Sequence, residues 1–203
     1  MIESYLTLKS TGKGTFKEKG SKFLAFAFQV ATIEDIENRL IEIKKRFHDA
    51  RHHCYAWRLG VERIEYRAND DGEPTHSAGD PILGQIKSSG ITNTLIIVVR
   101  YFGGTKLGVG GLINAYKTAA GEAIKSSEIV KIDVKIEVSI TYSYEATNEV
   151  QRIIDNYRIE IISQEFEDEC ALHGRVKSPD IEPLKTQFEL FQKTGIKARL
   201  VII

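Results

Sequence analysis

Several things are scarce in this 203-residue chain, and each scarcity excludes a class of protein. There are two cysteines, Cys54 and Cys170, far apart in sequence. They cannot form the disulfide framework that staples small secreted domains, so reduced thiols are expected. No apolar run approaches the roughly 20 residues that cross a bilayer. The opening M-I-E-S-Y-L-T-L-K-S lacks a basic segment followed by a long apolar one, as a secretory signal would have. A cytoplasmic protein with no membrane partner is expected. Charge of one sign is lacking too, since 28 Lys and Arg balance 28 Asp and Glu. Residues 1–130 hold 18 basic against 15 acidic side chains and residues 131–203 hold 10 against 13. A dedicated duplex-DNA binder carries a much stronger basic bias, so any nucleic-acid contact here must rest on a local patch. Low-complexity linkers are absent.

The length suits two modest domains of the usual size, roughly 100 to 150 residues or fewer. Apolar spacing supports that division. In the first part, Lys22 to Val30 reads as a buried strand, and Thr32 as the N-cap of a helix carrying Ile33, Ile36, Leu40, Ile43 and Phe47. His53 to Leu59 alternates like a strand with two unlike faces, and Val61 to Ala68 can pair with it. Asn69 to Pro74, N-D-D-G-E-P, has turn chemistry. Asp80 and Pro81 predict a helix N-cap and first turn, with Gly90 as its stop. Thr94 to Val99 is a β-branched run typical of a central strand buried on both faces. Leu112 to Ile124 follows with helical spacing. In the second part a half-buried strand from Ile132 to Ile140 leads to a helix through Val150, Ile153, Ile154 and Tyr157. Strands follow near Arg158 to Glu165 and Cys170 to Val176, then a helix from Ser178-Pro179 to Gly195 and a strand from Ala198 to Ile203. The order βαββαβ predicts an antiparallel sheet with both helices on one face, a ferredoxin-like arrangement. The boundary falls near Ser127 to Lys131, giving domains 1–130 and 131–203.

Between the Thr94 strand and the next helix lie five glycines within nine residues: Gly103, Gly104, Gly108, Gly110 and Gly111. Such density gives access to positive φ and lets a backbone or ligand approach without a Cβ in the way. The start of the following helix offers unpaired N–H groups and a partial positive charge. Arg100 and Lys106 flank the loop with fixed charge, and Tyr101, Phe102 and Tyr116 are candidate stacking groups. An anion-binding surface with interleaved aromatics is the expected site. A tight packing turn is the bland alternative, and the spacing matches neither a P-loop nor a complete dinucleotide fingerprint.

The run R-Y-F-G-G-T-K-L-G-V-G-G-L-I-N-A-Y, Arg100 to Tyr116, resembles the signature of the YigZ/IMPACT family. R-H-H-C-Y-A-W-R, Arg51 to Arg58, and D-D-G-E-P-T-H-S-A-G-D-P-I-L, Asp70 to Leu83, resemble its other blocks in order and separation. The likeness covers most of residues 15–127, and the second part resembles the small C-terminal domain of bacterial members. It implies an α+β protein of two domains. The first would have the ribosomal-protein and GHMP-kinase type of fold, and the second would be ferredoxin-like, similar to the fifth domain of elongation factor G. It implies a translation-linked regulator that contacts RNA or a ribosome-associated protein, without catalysis. The loop of Asp70, Asp71, Gly72, Glu73, Pro74 and His76 joins the site by the same likeness, and His53 and Tyr55 are added from the first block. The chain departs from the pattern at Thr75-His76-Ser77, where smaller residues such as Ser-Gly-Thr are expected.

Other readings stand beside this one. Three carboxylates and His76 within seven residues could hold a divalent ion, and an acidic polar turn is the alternative. His48, His52, His53 and Cys54 have zinc donors at spacings that fit no common finger. No metal and no cofactor is expected. Cys54 is a buried thiol or, beside a histidine, a nucleophile. An enzyme or binding protein acting on a phosphorylated small molecule or nucleotide, and a protein-interaction module, are the alternative functions. Nothing in the sequence sets an oligomeric state.

Overall fold

The computed structural model describes residues 2–203. It is an α+β protein whose chain divides into two compact units, one spanning Tyr5–Ile132 and the other Asp133–Ile203 with the residues up to Ser4. Among the described residues no helix is long and apolar enough to cross a membrane.

The first unit is built on a five-stranded antiparallel sheet in the order β2-β3-β6-β4-β5. Its strands are β2 (Gly12–Glu18), β3 (Ser21–Gln29), β4 (His52–Leu59), β5 (Glu65–Asn69) and β6 (Thr94–Tyr101). β6 is the middle strand, and seven of its eight residues are buried, as an unbroken apolar run predicts. Two cores follow from the alternation of side chains across the sheet. On one face Phe23, Ala25, Cys54, Ala56, Ile96 and Val98 meet α2 (Gly79–Ser88) and α3 (Gly108–Lys125). On the other, Phe26, Phe28, Trp57, Leu95, Ile97 and Val99 meet α1 (Ile33–Arg46). α1 starts with a capping box in which Thr32 and Asp35 satisfy each other's backbone N–H groups. α3 lies almost directly on β2. A Cβ at Gly12 would come within 2.0 Å of Ala123 O, and one at Gly14 within 2.4 Å of Ala119 O.

One short strand besides β2, β1 (Ser4–Leu8), has no counterpart among the elements expected from the sequence. β1 and β7 (Ile129–Asp133) pair as a separate two-stranded sheet. The single strand expected from Ile132 to Ile140 is really two, β7 and β8 (Lys135–Tyr142). Val134 leaves the ladders between them because its N–H donates to Glu3 O and its carbonyl accepts from Ser178 N.

The second unit carries β8, α4 (Thr147–Tyr157), β9 (Glu160–Phe166), β10 (Cys170–Lys177), α5 (Ile181–Lys193) and β11 (Ala198–Ile202). Its sheet order, β11-β8-β10-β9, is antiparallel throughout and is the ferredoxin-like arrangement. One core, with Ile140, Val150, Leu172, Leu184 and Phe188, joins both helices to one face of the sheet. Arg158, expected to open a strand, instead closes α4 in the left-handed conformation at φ +48°.

Candidate functional site

The site begins with a turn. Glu73 N donates to Asp70 O at 2.9 Å, with Asp71 at φ +41° and Gly72 at φ +86°. Two successive positive φ values define a mirror-image turn that an Asp-Gly step adopts readily. Each carboxylate of the turn then has its own task. Asp70 accepts from the backbone N–H groups of His76, Ala78 and Gly79 at 2.9, 2.9 and 2.8 Å. It thereby caps α2 from outside, since the cap residue Ala78 has no side-chain acceptor. Asp80, expected as the N-cap, sits in the first turn. Burial pushes the Asp70 carboxyl up, but those three donors outweigh it and hold it below the ordinary range. Asp71 accepts from His53 N at 2.7 Å, tying the turn to β4.

Glu73 points inward. It is buried, and its Oε1 accepts from Arg100 Nη1 at 2.6 Å and from Tyr116 Oη at 2.7 Å. Below these, the Cys54 thiol donates to Asp70 O at 2.9 Å and its sulfur lies 3.3 Å from Tyr116 Oη. Burial drives both the Cys54 thiol and the Tyr116 phenol far up, so both stay protonated. A fully buried, protonated thiol is no nucleophile. The Arg100 guanidinium lies between two rings, 5.5 Å from the centre of Phe23 and 5.6 Å from that of Phe102. Its Nη1 is taken by Glu73, but its Nε is buried without a hydrogen-bond partner.

Above this network opens a cavity of about 360 Å³. Its floor is Glu73 and Arg100, and its walls are Pro74, Phe102, Lys106, Leu107 and the first residues of α3. The helix starts at Gly108 with no side-chain cap and no acidic residue in its first turn. Its leading N–H groups and partial positive charge therefore face the opening uncompensated.

The profile of the Impact N-terminal domain matches residues 19–124. A Haemophilus influenzae protein named IMPACT family member is 32% identical over 206 residues, which cover 99% of this chain and 97% of that one. This chain belongs to the IMPACT family. An Escherichia coli relative, IMPACT family member YigZ, is 28% identical over 88% of this IMPACT chain and 89% of its own. A crystal structure titled only as that of a hypothetical protein superposes with a TM-score of 0.72 at 24% identity, covering 100% of the IMPACT chain and 98% of the other. At that identity the likeness concerns the fold alone.

The three family blocks thus converge on one end of the first unit, but their residues do not all reach the cavity. Arg100, Phe102, Lys106, Gly108, Glu73 and Pro74 do. Tyr116 does not. It is fully buried, stacks edge-on against Phe23 at 5.1 Å, and serves as a donor to Glu73, so it cannot stack on a ligand. Tyr101 turns to the α1 side, where its hydroxyl donates to Asp49 Oδ1 at 2.7 Å. His53 and Tyr55 share that side, with His53 Nε2 3.1 Å from Phe47 O. Gly103 packs on the β2–β3 turn, where a Cβ would fall 1.8 Å from Gly20 C. Gly104, Gly110 and Gly111 shape the loop and the first turn of α3. His76 is exposed and pairs with Asp80 at 2.5 Å. Among the described residues no group of three His, Cys, Asp or Glu side chains is placed to hold a metal ion. Leu107, Val109 and Leu112 line the cavity unforeseen. The sequence signal is Val109, an apolar residue set among glycines, and in the structure it is 52% exposed.

Proposed function

We propose that this IMPACT-family chain is a translation-linked regulatory protein that binds RNA, free or in the ribosome, at the start of α3. The observation that carries the reading is the uncapped, acid-free helix start, which opens beside a charged side chain, Lys106, and an aromatic one, Phe102. N–H groups at a helix start suit a phosphate, and an exposed ring suits an unstacked base. The link with translation rests on the family resemblance of the three sequence blocks. Filter binding with unstructured RNA tests the reading, comparing the wild type with Lys106→Glu. Lys106 forms no ion pair among the described residues, so its reversal leaves the fold intact. Affinity is expected to fall at least about tenfold with the loss and reversal of a phosphate contact. Wild-type RNA binding that is absent, or that Lys106→Glu leaves unchanged, overturns it.

A further inference from the structure

The cavity is too small and too apolar for a stretch of nucleic-acid backbone. Its two charged floor residues neutralise each other, because Arg100 is paired with Glu73 at 2.6 Å. What remains for an incoming anion is Lys106 at the rim and the partial charge of one helix start. That is enough for one phosphate. The walls, by contrast, are carbon: Pro74, Phe102, Leu107, Val109 and Leu112. Phe102 is 57% exposed although it covers the Arg100 guanidinium, so part of its ring faces outward.

The apolar walls are a second feature, independent of the helix start. Arg100 lines the floor but is 93% buried, and its partnerless Nε is closed to the cavity as well, so the walls and not the floor set what can bind. The volume, about 360 Å³, lies at the low end of the range for sites that take one small organic molecule.

We infer that the cavity holds a single unpaired nucleotide, its base against Phe102 and the aliphatic walls and its phosphate on the opening N–H groups of α3 beside Lys106. The inference rests on the proposed RNA reading for one of its two sources, a looped-out or terminal nucleotide of a strand, and stands without it for the other, a free mononucleotide.

Calorimetric titration of the full chain distinguishes these. The probes are adenosine and uridine 5′-monophosphates, the matching nucleosides, inorganic phosphate, and a short unstructured RNA. A mononucleotide is expected to bind at least about tenfold more tightly than the nucleoside or phosphate alone, since each part supplies a separate contact. Two variants locate it. Phe102→Ala removes the stacking surface and is expected to weaken the mononucleotide about tenfold or more. Val109→Glu places a carboxylate in the first turn of α3. That change favours the helix itself but competes with the phosphate, so lost binding cannot be charged to unfolding. Binding of the mononucleotide but not the RNA supports the pocket and removes the RNA reading. Binding of RNA that neither mononucleotides displace nor Phe102→Ala and Val109→Glu weaken overturns the pocket and leaves the RNA reading. Binding of neither overturns both.

Discussion

His76 occupies a left-handed backbone conformation, φ +64°, at a position where the family pattern leads one to expect glycine. For a side chain with a Cβ that conformation costs roughly 1–2 kcal/mol, less for histidine than for a branched residue. Its exposed contact with Asp80 offsets little of this. His76→Gly should therefore raise stability by about 1 kcal/mol, partly reduced by the freer unfolded chain, as read from the urea midpoint. His53 makes the opposite kind of prediction. Burial disfavours its charged form more than the Phe47 carbonyl and Asp71 favour it, so its pKa lies below the ordinary 6.5. In the unfolded chain it takes up a proton near pH 6.5, and the folded chain declines that proton until lower pH. Stability of the first unit should be level above about pH 7 and decline as the pH falls through 6.5, with a slope of at most about 1.4 kcal/mol per unit. Urea melts across pH check this, and His53→Gln should flatten that part of the profile. A slope of the other sign would mean the ring is held charged.

The glycines of β2 and of the Arg100 loop look alike in sequence but act differently as parts of elements. Gly104 and Gly108 supply positive φ and have open space around them, whereas Gly12 and Gly14 bring two backbones together. Gly14→Ala would put a methyl group within 2.4 Å of Ala119 O and 2.6 Å of Ala123 N. Neither backbone atom can move without shifting α3, so a loss of about 3 kcal/mol or more is expected in thermal unfolding. Because α3 carries the cavity, ligand binding should weaken with it. This close approach explains why β2 escaped the sequence reading: G-K-G-T-F-K-E lacks the apolar alternation of a strand since backbone, not side chains, makes its contact. What was legible had a strong period or a cap. The β6 run, the Thr32 N-cap, and the βαββαβ order of the second unit are read directly from residue types. The stretch that lines the cavity is marked in the sequence by glycine density and flanking charge. The roles within it are not, because Arg100, Tyr116 and Glu73 find one another across 43 residues or fewer of intervening chain only after the sheet forms. A tyrosine next to a glycine loop looks like a stacking group until burial shows it to be a donor. Helical spacing begins only at Leu112, four residues after the true start of α3, for a related reason: glycine lowers helix propensity and so hides a first turn that packing enforces.

Across the whole molecule, the balance of 28 basic and 28 acidic side chains decides how RNA binding must respond to salt. With no net charge, the chain as a whole does not gather phosphates. Around the cavity Arg100 is already paired, leaving Lys106 and the helix start as the positive elements. The second unit works against binding at one place, where Glu165, Glu167, Asp168 and Glu169 lie exposed at the turn between β9 and β10. Each phosphate neutralised on a single strand contributes about −0.7 to the slope of log K against log salt. One or two phosphates therefore predict a slope between about −0.7 and −1.4, measured by titrating unstructured RNA over a range of potassium concentrations. A protein that grips a backbone with six or more cations would give about −4 or steeper. A shallow slope combined with sensitivity to Phe102→Ala fits recognition in which the stacked base supplies more of the affinity than charge does. A steep slope would move the contact away from this cavity, to lysines spread over a face of the first unit such as Lys17 and Lys22, which stand opposite each other on β2 and β3. Like charges in that cross-strand position repel, so they would gain from an anionic partner, and replacing both with glutamine would then flatten the slope where Lys106→Glu would not.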